Sequence, residues 1–140
     1  MKRFLFNANA TYLNFGLLFL RVAIGSSFIY HHGFRKISDP SIWNELGGAM
    51  DIVGITFAPT FWGFMASFAE FFGSVFLILG LFTRPAAFLL SFTMFIVVYS
   101  AYVEGDGFSY PLSMLIVFIS IMIIGPGKYS IDAQINGFKK

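Results

Sequence analysis

Tyr12–His32, YLNFGLLFLRVAIGSSFIYHH, and Thr60–Phe82, TFWGFMASFAEFFGSVFLILGLF, decide how the chain folds. Each is a hydrocarbon-like run with a single formal charge inside it, Arg21 in the first and Glu70 in the second. A lone charge within a bilayer costs roughly 2.5–3.5 kcal/mol on insertion scales. Such residues persist when they pair, when they serve a site, or both.

The composition agrees with a lipid solvent. Of 140 residues, 57% are hydrophobic and 11% charged, and the mean hydropathy is +0.77. A water-soluble domain carries about 25% charged residues, so this chain has too little polar surface to coat a globule. Its 20 phenylalanines point the same way. With no cysteine, disulfides, thiolate metal sites and dithiol chemistry are excluded. A net charge of +2 without a basic cluster gives no footprint for nucleic acid.

Two further apolar runs follow, so the expected spans are about 12–32, 60–82, 84–103 and 111–124. A span needs about 20 residues, and the fourth run is the shortest. Thr83-Arg84-Pro85 reads as a tight turn with Thr83 as N-cap, and Ser109 with Pro111 opens the fourth helix in the same way. Gly125-Pro126-Gly127 ends it. The expected fold is all-α: one domain over residues 1–140, an integral membrane four-helix up-down bundle. The N-terminal run is longer than a signal-peptide core, and its small residues precede it, so it reads as a retained helix.

Lys2, Arg3, Arg84, Lys128, Lys139 and Lys140 fall on one side of such a bundle, Arg35 and Lys36 on the other. The excess places both termini in the cytoplasm. The outer connection, Gly33–Pro59, is too apolar for a free loop. Asp39-Pro40 is expected to open a short helix that Gly47-Gly48 ends, with Trp43 at headgroup level. This partly helical loop is either a lid or a cover for helix ends. The tail, Ser130–Phe138, is expected to form a small helix on the inner side.

Asn14, Arg21, Gly25, Phe28 and His32 share one face of the first helix, and Gly63, Ala66, Ser67, Glu70, Gly73 and Ser74 one face of the second. The small residues of the second face suit close helix approach. Arg21 and Glu70 lie at about 14 and 18 Å from the inner end at the helical rise. Their pairing near the midplane is therefore expected. In one reading the pair only fixes helix register. In the other it holds a proton or polarises a ligand carbonyl. His32 lies on the Arg21 stripe and is the candidate proton relay; His31 is not on it. Two adjacent histidines make no two-ligand face, so neither bis-histidine haem nor a metal is expected. Metal binding would need Glu104 or Asp106 in addition. Tyr99, Ser100, Tyr102 and Tyr110 cluster near the outer ends of helices three and four and read as an aromatic belt. The alternative, from the stripe Ser91, Phe95, Val98, Tyr102, is that Tyr102 faces inward and serves a ligand.

Several segments together resemble the DoxX family of small bacterial membrane proteins. They are Leu20-Arg21, His32-Gly33 with Lys36, Gly47-Gly48-Ala49-Met50, Ala69-Glu70-Phe71-Phe72-Gly73, Leu79–Ala87, and Gly125-Pro126-Gly127 with Ser130 and Asp132. The resemblance implies a four-helix inner-membrane protein in the neighbourhood of quinone-linked oxidoreductase complexes. It matches the family's Arg, His-Gly and Glu positions to Arg21, His32-Gly33 and Glu70. Family-related proteins that handle thiols use cysteines, which this chain lacks. The leading expectation is a redox-associated subunit that binds quinone or another apolar molecule non-covalently among Arg21, Gly25, Phe28, His32, Ser67, Glu70 and Tyr102. Its partners would be the lipid bilayer and oxidoreductase subunits or a second copy of the chain. The alternatives are a non-catalytic scaffold or partner subunit and, further off, a small transporter.

Overall fold

The computed structural model describes residues 9–137, all of whose regular structure is helical. Lys2, Arg3, Phe138, Lys139 and Lys140, used above for orientation and the tail, lie outside them. Helix α1 runs Ala10–Ser38, α2 Trp43–Gly48, α3 Pro59–Leu79, α4 Thr83–Glu104, α5 Ser109–Ile124 and α6 Ile131–Gly137. Among these, α1, α3 and α4 are long and apolar enough to cross a membrane. The 16 residues of α5 span about 24 Å, short of the ~30 Å hydrocarbon core.

The first helix goes on well past His32. A π turn over Ile29–Gly33 carries it into Phe34–Ser38. A second π turn, Ala69–Gly73, interrupts α3. A π turn takes in one extra residue and is stable only where tertiary contacts hold it. Here the two turns hold each other. A Cβ on Gly33 would sit 2.8 Å from the Cα of Phe71 and 3.0 Å from the Glu70 carbonyl, so only glycine permits this approach.

Contacts along α1 and α3 run in opposite directions. Arg21 lies beside Gly80, Gly25 beside Ser74 and Ile78, and Gly33 beside Glu70 and Phe71. The core gathers Phe28 of α1, Leu77 of α3, Ala87, Leu90 and Met94 of α4, and Phe118 and Ile121 of α5. Phe28 meets Phe118 edge-to-face at 5.0 Å. Much of the remaining apolar surface, including Phe15, Phe19, Phe88 and Ile123, faces outward, as lipid contact requires.

Asp39 opens the loop helix as expected. Its carboxylate accepts from the Ser41 hydroxyl and the Ser41 amide, which hold it below the ordinary aspartate range. Gly47-Gly48 ends this α-helix as expected, and a 3-10 turn over Ala49–Val53 carries the segment on to Gly54 at φ +81°. Gly47 also serves close approach. A Cβ there would strike the Pro59 carbonyl, and a Cβ on Gly63 would strike that of Trp43. Trp43 turns inward: its indole N–H donates to the Lys36 carbonyl at 2.8 Å and its ring leans on Phe64.

At the other end, α6 lies over the α3–α4 turn. Thr83 is not the cap of α4 but its first helical residue, because Asp132 takes the capping role. Its carboxylate accepts the amides of Phe82 and Thr83, each at 2.9 Å. A carboxylate suits a helix N-terminus on both hydrogen-bonding and dipole grounds.

Gly63→Ala is expected to lower stability by about 1–3 kcal/mol, the cost of overpacking. Gly48→Ala, where an added Cβ meets nothing within 4 Å, should be near neutral. Chemical denaturation of both variants in detergent, followed by circular dichroism, checks this; equal losses would remove the glycine contact as the loop's anchor.

Candidate functional site

The two π turns bring a buried carboxylate and a lysine together. Glu70 sits on one turn, Lys36 three residues beyond the other. The Lys36 ammonium donates to Glu70 Oε1 at 2.7 Å, and this is the one salt bridge among the described residues. Glu70 is fully buried, whereas the lysine side chain is 22% exposed. The second carboxylate oxygen, Oε2, is buried without a partner. Trp43, bonded to the Lys36 carbonyl, steadies the lysine from the loop side.

Lys36 and Glu70 lie in the wall of a groove of about 940 Å³ between the loop, α3 and α4. Met65, Ala66 and Ala69 of α3 face Phe92 and Thr93 of α4 across it, with Met50 of the loop at its side. Trp62, also in the wall, has a buried indole N–H without a partner. Beside the groove is a smaller cavity of about 230 Å³, bordered by His31, His32, Arg35, Lys36 and Glu45. Lys36 and Glu45 border both.

The expected Arg21–Glu70 pair does not form. Arg21 is fully buried near the opposite end, where Nη2 donates to the Tyr129 carbonyl and Nη1 lies against Gly80. Its Nε and Nη1 have no hydrogen-bond partner. The reason is helix register. Glu70 lies level with Gly33, and the twelve residues from Arg21 to Gly33 rise about 18 Å, so the two charges sit at different depths. Side chains lean toward their own helix's N-terminus, and on antiparallel helices this widens the gap further.

The other candidates separate likewise. Gly25 serves the contact of α1 with Ser74 and Ile78, and Phe28 belongs to the core. The Ser67 hydroxyl is buried and donates back to the Gly63 carbonyl at 2.8 Å. His32 Nε2 lies 3.3 Å from the Tyr110 hydroxyl and borders the small cavity. Tyr102 is 67% exposed with its ring against Phe108, so the stripe that placed it inward is split: Ser91 is buried, Phe95 and Tyr102 point out. Of the seven, Glu70 alone lines the groove. Lys36 was missed as a site residue, although it lies four residues past His32 and continues the same stripe once the helix is carried beyond it.

The DoxX family model matches residues 16–103, which include both π turns and both members of the ion pair. The chain belongs to the DoxX family. It is also 33% identical over 96 residues to a protein of Haemophilus influenzae described only as uncharacterized, a match covering 69% of this chain and 66% of that protein. The match thus spans slightly under two thirds of the relative's own length. No solved structure matches.

Lys36→Met should destabilise the protein by about 3–5 kcal/mol, because it leaves Glu70 buried and unpaired. Adding Glu70→Met should recover much of that loss. Arg21→Met and Glu70→Met should add within about 0.5 kcal/mol, as independent sites do. A double-mutant cycle of unfolding free energies in detergent reads both couplings; strong Arg21–Glu70 coupling with none at Lys36 would reverse the assignment.

Proposed function

We propose that this DoxX-family membrane protein binds an apolar small molecule in the groove beside Lys36 and Glu70, as a redox-associated subunit for which a quinone is the leading ligand. The carrying observation is a groove of about 940 Å³, within the ~300–1,000 Å³ usual for small-molecule sites, whose apolar walls end on one incompletely satisfied ion pair. Such sites combine apolar lining with a few placed polar groups. Lys36 has donors to spare for a quinone carbonyl, and Glu70 Oε2 is free to accept from a hydroxyl. The redox association itself is drawn from the family resemblance.

In this proposal the four apolar helices form an up-down bundle in the inner membrane with both termini cytoplasmic. The loop end and the mouth of the groove then face outward. The tapered length of α5 is accommodated by local thinning or tilt. The glycine-anchored loop forms one wall of the site, which favours the fixed-cover reading over a swinging lid.

A short-chain benzoquinone analogue should quench the fluorescence of Trp62 in lipid nanodiscs. At about a hundred times its dissociation constant it should also stabilise the fold by ~2.7 kcal/mol. Ala66→Phe, which fills the groove from α3, should abolish both effects while the unliganded protein keeps its helix content. Absence of quenching and of stabilisation in the parent protein would dismiss quinone as the ligand.

A further inference from the structure

The charges around the groove are strongly one-sided. The chain has seven acidic residues, and five of them line it: Glu45, Asp51, Glu70, Glu104 and Asp106. Among the described residues, Lys36 is the only lysine or arginine in its lining, and it is already committed to Glu70. Arg35, the other base at this end, borders the neighbouring small cavity instead. Glu45, Asp51, Glu104 and Asp106 are exposed and come from two separate places, the long loop with its short helices and the end of α4 with the turn after it. They form a rim, and below it Glu70 presents a fully buried, unpartnered Oε2.

Carboxylates around a low-dielectric cleft focus a negative potential into it. An acidic rim alone would be a solvated surface. The unsatisfied Glu70 oxygen at depth supplies an independent reason for a cationic or N–H-bearing group to descend past that rim. The aromatic rings of Trp62 and Phe92 in the walls add faces on which a cation rests favourably. Met65, Ala66 and Ala69 leave room for apolar bulk.

We infer that the groove accepts lipophilic cations, hydrophobic amines or quaternary onium compounds, as a ligand class distinct from neutral quinones. This rests on the reading of the groove as a small-molecule site and adds the charge of an occupant. The rim attracts the cation, the apolar walls hold its body, and Glu70 Oε2 receives the positive end or its N–H.

The test compares two probes of similar shape, methyltriphenylphosphonium and neutral triphenylphosphine oxide, titrated into the full chain in nanodiscs of zwitterionic lipid. The cation is expected to bind at least about tenfold more tightly, since a focused potential enriches counter-ions by ~10–1,000-fold. That preference should shrink as salt rises to about 0.5 M. The double variant Glu104→Gln with Asp106→Asn, on exposed positions that hold no core contact, should cut cation affinity several-fold and leave the neutral probe unchanged. Glu70→Gln combined with Lys36→Met should lower cation affinity further. Equal affinity for the two probes, or a preference insensitive to salt and to the rim variant, overturns the inference while leaving a neutral-ligand site standing. If neither probe binds, the inference falls, and the separate quinone titration decides the broader reading.

Discussion

A carboxylate with no exposed surface must find a counter-charge or give up its ionisation, and the loop end of this protein is arranged around that requirement. Glu70 meets Lys36 because two helices each take in an extra residue at the same level and press these π turns together through Gly33. The lysine is steadied in turn by Trp43, whose helix is held against α3 by Gly47 and Gly63. Ion pair, bulges and loop therefore form one dependent set. Removing the lysine strands a buried charge. Enlarging either glycine pushes away the loop that positions the lysine's backbone.

At the opposite end a second buried charge is handled differently. Arg21 reaches toward the N-terminal end of its helix, as long cationic side chains do when they seek polar surroundings. It finds a backbone carbonyl at Tyr129 and the bare backbone of Gly80. Asp132, which also acts on Arg21 electrostatically, spends its carboxylate on the amides that open α4. The contacts there tie the start of α1, the α3–α4 turn and the tail helix together.

Much of this was legible in the sequence where the signal is local. Apolar runs located the long helices, Asp39 announced the loop helix, and Gly125 ended α5. The buried status of Arg21 and Glu70 also followed from their isolation in apolar runs. Their partners did not, because pairing depends on how the two helices are shifted along each other, which sets Arg21 beside Gly80 and Glu70 beside Gly33, and on helix phase beyond a π turn, neither of which a residue count measures. Ending α1 at His32 hid Lys36 among loop charges. Thr83 looked like a cap because a cap supplied from 49 residues downstream leaves no local trace. Tyr102 was misplaced because one inward residue, Ser91, was extended along a stripe that the structure divides.

The two charged centres explain why a ligand site is expected at one end rather than at both. Arg21 is packed against Gly80 and the tail, and the groove of about 730 Å³ at that end is lined by its neighbours Leu17, Leu20 and Gly127 rather than by Arg21 itself. Glu70 is equally buried by exposure, yet it stands in the wall of an open groove and keeps an unused oxygen. A purely structural pair gains from satisfying every lone pair. Leaving Oε2 unmatched, in a wall floored by Ala66 and Ala69 and rimmed by four more carboxylates, is a standing cost that a bound donor or cation removes. Arg21 also keeps unpaired donors, but it is not in the wall of the groove at its end; the unused oxygen that belongs to a groove-lining residue is that of Glu70, and this is the physical ground for placing function there.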